Sequence, residues 1–279
     1  MKFQTAEYPF KLLTPCFCGG ADNRSGAAEL RIPSIRGQIR LWHRSIAPVN
    51  VVNQIWGTTE GNTTASKVGL SLDKPFTPSR MLARLLPHCD PNSKDEEEKR
   101  KAASKRDALA ENQRFVLIAQ RLIGCTQDDW EEAQRAIKLW LLLGGLGLRS
   151  NRAAGSVWPD GQWVPDTQEA LAEVLRVLRC NHTVLLVDPQ EGDNATRLRE
   201  FASNTLRGPQ HRPYFGGINP RQSSPVRFKV IQLGGTPRVL VTSPNSSLAE
   251  QAKSALRQSN KPLGQRSWDL IFPLPGSSI

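Results

Sequence analysis

The order of strand and helix patterns constrains the fold of this chain more than any other sequence feature. Residues 3–13 alternate loosely and predict a strand, and residues 34–46 carry apolar side chains at helical spacing, with Ser34 as the expected N-cap. Strand patterns at 66–72 and 114–122 precede the clearest helix, 128–143, which ends at a glycine pair. This is the order of a ferredoxin-like β-α-β-β-α-β unit, so we predict an α+β fold.

The second half of the chain repeats this order less clearly, because the first strand of a second unit is not obvious. Its patterns predict helices at 170–178, 196–206 and 247–257 and strands at 183–187, 226–233 and 238–241. We therefore predict tandem ferredoxin-like (RRM-like) domains over residues 1–165 and 166–279. A charged insertion near residues 75–112 interrupts the first domain, and its part from 94 to 112 is typical of an exposed helix or a disordered excursion.

The positive charge is concentrated near the C-terminus. The 279 residues hold 37 Lys and Arg against 26 Asp and Glu, but residues 201–279 hold ten basic residues against Glu250 and Asp269. No acid lies between Glu200 and Glu250, where the basic residues are Arg207, Arg212, Arg221, Arg227, Lys229 and Arg238. Surfaces normally mix both signs, so this stretch favours a polyanionic partner, with a solvated basic face as the alternative.

The composition excludes several classes of protein. The longest apolar stretch, 139–148, is far shorter than the roughly 20 residues that cross a bilayer. The N-terminus carries an early acid and no apolar core of a secretion signal, so we expect a cytoplasmic protein without membrane contact. The cysteines and histidines show no metal-ligand spacing, and we expect neither a metal nor a cofactor.

The first predicted helix carries a basic ridge. Arg36, Arg40 and His43 recur at i, i+4 and i+7, with Arg44 beside them, away from the apolar stripe. Arginines on one face repel one another, so the ridge gains from an anionic partner, although a solvated face has the same pattern.

A glycine-rich segment, GGLGLRSNRAAGS over residues 144–156, follows the clearest helix. It is not a dinucleotide fingerprint, because that motif opens a helix rather than ending one, and it lacks the G-K-[ST] of a triphosphate loop. Four glycines and two arginines without an acid indicate a loop whose backbone approaches a phosphodiester chain.

This segment resembles the glycine-rich loop of the RAMP superfamily of CRISPR-associated proteins. LTPCFCGGAD at 13–22 and IPSIRGQIRLWHR at 32–44 are similar to the opening of the first-subunit family of type III-B (Cmr) effector complexes, and segments 55–59 and 65–68 follow in that family's order. The resemblance implies a non-catalytic RNA-binding subunit that caps the effector filament near the 3′ end of the guide RNA and contacts target RNA in antiviral defence. Its implied partners are guide (CRISPR) RNA, target RNA and other RAMP-type subunits.

The expected RNA contacts are basic side chains and glycines that allow close backbone approach. The basic residues are Arg36, Arg40, His43, Arg44, Lys67, Arg149, Arg152, Arg207, Arg212 and Arg221. The glycines are Gly19, Gly20, Gly37, Gly144, Gly145, Gly147 and Gly155.

Two enzymatic alternatives stay open. RAMP-fold relatives include endoribonucleases that process repeat RNA, and here His43 is the candidate acid or base while Lys67 steadies the phosphorane charge. In the type III backbone subunits, a loop Asp cuts target RNA with a divalent metal, and Asp22 follows the first predicted strand in the same way. A turn Asp is usually a capping or Asx-turn residue.

Overall fold

The computed structural model describes residues 4–19, 28–61, 63–73, 79–206, 208–217 and 222–273. Its strands are β1 (Thr5–Leu12), β2 (Val68–Leu72), β3 (Arg80–Arg84), β4 (Lys105–Leu109), β5 (Arg114–Arg121), β6 (Val157–Pro159), β7 (Thr183–Val187), β8 (Arg227–Leu233), β9 (Thr236–Ser243) and β10 (Trp268–Phe272). Its α-helices are α1 (Ile32–His43), α2 (Val49–Trp56), α3 (Glu96–Ala103), α4 (Gln127–Leu143), α5 (Gln168–Val177), α6 (Ala195–Ser203), α7 (Arg212–Phe215) and α8 (Ser246–Gln258).

The first sheet has the ferredoxin-like strand order. Its strands lie in the order β2-β5-β1-β6, every neighbouring pair is antiparallel, and α1 and α4 follow β1 and β5. Alternation along β1 buries Tyr8, Phe10 and Leu12, and the Phe10 ring meets the Trp140 ring of α4 edge-on at 5.8 Å. A capping box starts α4, because the Thr126 hydroxyl accepts from the Asp129 N–H while the Asp129 carboxylate accepts from the Thr126 N–H.

The second sheet repeats this order as β10-β7-β9-β8, with α6 after β7 and α8 after β9. The predicted strand at 183–187 is β7, and it is the first strand of the second unit, whereas the closing strand β10 is not among the predicted strands. The prediction of tandem ferredoxin-like folds of RAMP type is confirmed. The domain boundary at residues 165 and 166 stays a prediction.

The helix α1 begins earlier than predicted. It starts at Ile32, its N-cap is Arg31, and no side chain caps it, so the prediction that Ser34 is the N-cap was wrong. Pro33 occupies the first turn instead, where its missing N–H costs no hydrogen bond. The apolar stripe lies as predicted, with Ile35, Ile39 and Trp42 buried.

The charged insertion forms a helix and a two-stranded ribbon. Helix α3 is capped by the Asp95 carboxylate, which accepts from the Glu97 N–H at 2.8 Å. Residues 105–109, predicted to continue the helix or excursion, instead form β4 and pair with β3. The reason is burial: Ala108 and Leu109 turn apolar side chains inward, which a solvated helix would leave exposed.

The glycine-rich segment joins the two sheets through backbone hydrogen bonds. The Ala153 N–H donates to the Phe228 carbonyl at 2.9 Å, and the Phe228 N–H donates to the Asn151 carbonyl at 3.1 Å. Arg152 and Phe228 therefore form a parallel bridge beside the outer strand β8. The edge of the second sheet is covered there by the first half of the chain.

A second contact between the halves stacks three side chains. The Trp42 ring of α1 lies 5.3 Å from the His182 ring and 5.2 Å from the Arg227 guanidinium, measured from ring centroids. Burial first, and then the charge of Arg227, lowers the pKa of His182 from 6.5 to about 4. The folded protein therefore holds His182 neutral at a pH where the unfolded chain takes up a proton.

We expect the protein to lose stability on mild acidification through this residue. Between pH 6.5 and 4 the unfolded state binds the extra proton, so the free energy of unfolding falls as the pH drops, by about 2 to 3 kcal/mol at the acidic end. Urea denaturation of wild type and of His182→Phe, which keeps a ring against Trp42, measures the difference. If the free energy of unfolding falls equally with pH in both proteins, His182 is not the cause of the loss.

Candidate nucleic-acid interface

The arginines of α1 lie together along one groove. Arg36, Arg40 and Arg44 line a depression of about 720 Å³, which we call the α1 groove; the remaining lining residues are Ile32, Pro33, Gly37, Gln38 and Leu41. Gly37 is exposed, and a Cβ placed on it would meet nothing within 4 Å. The sequence spacing therefore brought these three arginines to one surface, together with a glycine at which the helix backbone is open to a ligand.

The positive charge in the α1 groove is only weakly offset by a nearby acid, since the charge of Glu60 raises the pKa of Arg40 less than burial and the two neighbouring arginines lower it. Among the described residues, no carboxylate forms an ion pair with these three arginines. Arg40 donates to the Gly57 carbonyl at 2.8 Å and to Asn53 Oδ1 at 3.0 Å, which fixes its guanidinium beside the groove. Burial, and then the charges of Arg44 and Arg36, lower the pKa of Arg40. An anion in the groove would relieve this repulsion.

His43 does not belong to this surface, so the prediction that it lies on the exposed ridge was wrong. Its side chain is 0% exposed, and both ring nitrogens are bonded inside the protein. The Trp56 indole N–H donates to Nδ1 at 2.9 Å, which leaves the ring proton on Nε2, 3.2 Å from Glu132 Oε1. The physical reason is that α2 and α4 cover this end of α1.

Lys67 also has a partner within the fold. Its Nζ lies 2.7 Å from Asp129 Oδ2, the carboxylate that closes the capping box of α4. The Asp129 side chain is 9% exposed, and the hydrogen bond from Lys67, together with those at Thr126, holds the pKa of this carboxyl below its usual range although burial raises it. Lys67 thus stabilises the start of α4.

The glycines of the glycine-rich segment pack closely against other parts of the chain. A Cβ on Gly144 would lie within 3.0 Å of ring atoms of Trp140 and Trp42, and one on Gly147 would lie 2.6 Å from the Phe17 carbonyl oxygen. Gly145 pairs with Ser156 in a β-bridge. The Leu146 N–H donates to the Gly155 carbonyl, and the Gly155 N–H donates to the Pro15 carbonyl. Other parts of the chain therefore occupy the space beside Gly144, Gly145, Gly147 and Gly155, and the RNA contacts predicted at these glycines stay predictions.

Arg152 is a buried cross-link and not an exposed RNA contact as predicted. Its guanidinium donates to the Phe215 carbonyl at 2.8 Å and to Thr205 Oγ1 at 3.0 Å, and its Cζ lies between the rings of Phe215 and Phe228 at 5.3 and 5.6 Å from their centroids. Further acceptors are the Asn151 and Val226 carbonyls and Ser224 Oγ. Burial, and then Arg149, lower the pKa of Arg152, yet a guanidinium keeps its proton at neutral pH.

A second concave surface opens beside Arg152. This junction cleft, about 750 Å³, lies between the glycine-rich segment and the acid-free C-terminal stretch; it is lined by Arg149, Asn151, Arg152, Thr205, Leu206, Gly208, Arg212, Phe215, Gly216, Gly217, Gln222, Ser223 and Ser224. Arg149 and Arg212, two of the predicted RNA contacts, both line it. It has no described lining residue in common with the α1 groove.

Four predicted positions, Gly20, Asp22, Arg207 and Arg221, lie outside the described residues. Gly19 is exposed and forms a β-bridge with Ala28. The RNA contacts predicted at Gly19, Gly37 and the α1 arginines stay predictions.

Sequence reasoning missed that part of the basic C-terminal stretch is structural. The Lys229 ammonium is buried and donates to the Leu141 carbonyl in the last turn of α4 at 2.6 Å, where a cation suits the helix end. Burial holds the pKa of Lys229 well below its usual range. Arg199 of α6, just before this stretch, also donates to a backbone carbonyl, that of Arg84, at 2.6 Å. The available signal was a lysine placed between the apolar Phe228 and Val230 of strand β8.

The described part of the chain contains no cluster of three or more His, Cys, Asp or Glu side chains with metal-binding geometry. None of the helices in that part is both long and apolar enough to pass through a bilayer.

Comparison with solved structures finds the same fold in CRISPR proteins. Cmr1 from Pyrococcus furiosus in its apo form superposes with a TM-score of 0.61 at 16% identity, covering 86% of this chain and 87% of the other. A chain of the type III-B Cmr-β complex bound to cognate target RNA and AMPPnP, in the presence of single-stranded DNA, gives a TM-score of 0.54 at 10% identity, covering 87% and 94%. No curated protein sequence matches the chain.

The family comparison covers most of the first unit. The model of the RAMP superfamily matches residues 9–158, which is more than half of the 279 residues and includes α1, the insertion and the glycine-rich segment. The same range contains all four strands of the first sheet except the first residues of β1 and the last residue of β6. The chain therefore belongs to the RAMP superfamily.

Proposed function

We propose that this chain is a non-catalytic RNA-binding subunit of a type III-B (Cmr-like) CRISPR effector complex. In this role it caps the filament near the 3′ end of the guide RNA, contacts target RNA and neighbouring RAMP-type subunits, and acts in cytoplasmic antiviral defence. Membership of the RAMP superfamily and the fold shared with Cmr1 and with a chain of an RNA-bound Cmr-β complex support the proposal.

The α1 groove is the observation that carries it. Three arginines of one helix face line a single depression without a carboxylate partner among the described residues, and Arg36 Nε is buried there without a hydrogen-bond partner. Guanidinium groups donate to phosphate oxygens in a bidentate manner, and contacts of this kind carry no base-sequence information. The groove therefore suits the sugar-phosphate backbone of a single strand, with little dependence on sequence.

The geometry of His43 favours binding over repeat-RNA cleavage. A general acid or base has to reach the 2′-hydroxyl or the leaving oxygen, and His43 is enclosed by Trp56 and Glu132. Lys67, its expected helper, is held by Asp129. Cleavage of target RNA at Asp22 is the other alternative, and labelled RNA substrates test it.

We expect Arg36→Ala/Arg40→Ala/Arg44→Ala to weaken binding of a single-stranded RNA on the order of 100-fold at low salt. The logarithm of the binding constant falls linearly with the logarithm of the salt concentration, and each phosphate contact contributes about 0.7 to the steepness of that line. The line for the triple variant should therefore be less steep by about 2. Fluorescence anisotropy over a salt series measures both quantities. Unchanged affinity would show that the groove is a solvated face.

Two controls separate binding from folding and from net charge. The double variant Arg36→Ala/Arg44→Ala keeps the hydrogen bonds of Arg40 and should still lose most of the affinity. Lys94→Ala/Arg100→Ala/Arg257→Ala removes the same charge from exposed positions elsewhere and should bind nearly as wild type. Labelled repeat RNA and target RNA are also incubated with and without Mg²⁺; cleavage that disappears in Asp22→Ala would contradict the non-catalytic role.

A further inference from the structure

The Arg40 guanidinium is held by two neutral oxygen atoms. One of its terminal nitrogens donates to the Gly57 carbonyl at 2.8 Å, and the other donates to Asn53 Oδ1 at 3.0 Å. Asn53 lies within α2, and Gly57 follows the last residue of that helix. Partial negative charge gathers at the C-terminal end of a helix, so this end of α2 suits a cation. Arg40 is therefore attached to α1 through its backbone and to α2 through its side chain.

Neutral acceptors leave the charge of Arg40 in place. A guanidinium carries five N–H donors, and the bonds to α2 use two of them, so three remain for a ligand. Lys67 shows the contrast, because its ammonium lies 2.7 Å from the Asp129 carboxylate, which offsets its charge within the fold. In the part of the chain that the structure describes, Arg40 forms no ion pair with a carboxylate. Its positive charge is held in position and is still available to an anion.

Close packing fixes the Gly57 carbonyl. Gly57 has φ of +77°, and a Cβ there would lie 2.7 Å from the Thr64 carbonyl oxygen and 2.9 Å from the Ser66 nitrogen. Only glycine fits between these atoms in this conformation. Gly57 and Ser66 belong to the two family-like segments, 55–59 and 65–68, which the α1 groove itself does not contain. These segments therefore hold in place one of the two oxygens that receive Arg40.

We infer that Asn53 is a positioning residue for RNA binding: with the Gly57 carbonyl, it orients the Arg40 guanidinium for a phosphate in the α1 groove and leaves its charge unpaired. The inference rests on the proposed function and adds to it a residue that does not line the groove. A side chain that is already ordered loses less conformational entropy when it binds a ligand. Arg40 is also the middle one of the three groove arginines, so a strand that contacts all three has to pass it.

A double-mutant cycle of Asn53→Ala and Arg40→Ala tests the inference by fluorescence anisotropy of a labelled single-stranded RNA. We expect Arg40→Ala to lower RNA affinity about tenfold. Asn53→Ala should lower it about fivefold in the wild-type background and less than about twofold when Arg40 is already alanine. Asn53 is half-buried and alanine favours helices, so α2 should still form, and thermal unfolding checks this. Asn50→Ala, at an exposed position of the same helix, is the matched control and should bind RNA as wild type does.

The Asn53→Asp variant separates position from charge. Aspartate keeps an acceptor oxygen at this place, but its negative charge offsets that of Arg40. We expect RNA affinity to fall, and the line that relates the logarithm of the binding constant to that of the salt concentration should be less steep by about 0.7, the share of one phosphate contact. Wild-type affinity and steepness in this variant would show that the neutrality of the acceptor is irrelevant, and would overturn the inference.

Three results of the cycle also overturn it. Asn53→Ala binds RNA as tightly as wild type, or Arg40→Ala does, or Asn53→Ala loses as much affinity without Arg40 as with it. In the last case the loss comes from α2 itself and not from the position of Arg40. Each result leaves the proposed function intact if wild type binds RNA and the triple arginine variant does not. Wild-type protein that binds no single-stranded RNA contradicts the proposed function itself.

Discussion

Replacing Gly155 by alanine is expected to lower the free energy of unfolding by about 3 kcal/mol or more, enough to abolish folding in a protein of ordinary stability. Gly155 has φ of +58°, and a Cβ there would lie well within 3.0 Å of the Leu146 carbonyl oxygen and 3.0 Å from the Cys16 thiol. The backbone of the segment has to move, because no flexible side chain can yield. Chemical denaturation, or the soluble yield if the variant does not fold, measures the effect.

The control for this variant is Gly37→Ala in α1. This glycine is equally part of the family-like motif, but its Cβ position is empty and its backbone is helical. We expect alanine there to raise stability by about 0.5 to 1 kcal/mol, since it restricts the unfolded chain and favours the helix. Similar effects of the two substitutions would contradict the packing described for the glycine-rich segment.

Arg152→Met is expected to destabilise the protein by about 3 to 5 kcal/mol. Methionine has a similar length and removes the charge, but it leaves the Phe215 carbonyl without the donor that Arg152 supplies. It also removes the guanidinium from between Phe215 and Phe228. Denaturant unfolding of the variant gives the loss directly.

Two comparisons make the Arg152 result specific. Arg257→Met changes an exposed arginine of α8 and should leave the unfolding free energy within about 0.5 kcal/mol of wild type. Arg152→Lys keeps the charge but has too few donors for the acceptors around it, so it should recover only part of the loss. An Arg152→Met protein as stable as wild type would show that the cross-link contributes nothing net.

The fold was largely predictable because the spacing of apolar residues along the chain indicates which side chains are buried. The alternation of β1 and the long apolar stripe of α4 gave the β-α-β-β-α-β order of the first unit. Strand β6 has only three residues, and β10 carries the exposed Asp269 and Leu270, so neither shows a clear pattern. Strand β4 reads as charged and is held by pairing with β3, a long-range effect that local sequence does not encode.

The candidate site was predictable only in part, for a geometric reason. Helical spacing gives the direction of a side chain around α1, and it correctly brought Arg36, Arg40 and Arg44 together. It does not tell which end of the helix other elements cover, and His43 is buried under α2 and α4. In the same way, glycine content shows that the backbone of residues 144–156 is free to bend, but not that Phe17 and Leu146 fill the space beside it.

The hydrogen bonds that join the sheets have a mechanical consequence for the subunit. Lys229 of the second sheet caps α4 of the first, and Phe228 exchanges backbone bonds with the glycine-rich segment, so neither half can swing without breaking buried polar contacts. The α1 groove and the junction cleft are therefore carried on one stiff frame. An RNA strand that contacts both surfaces therefore meets a fixed distance between them. Thermal motion cannot easily change that distance, because the two halves are held together.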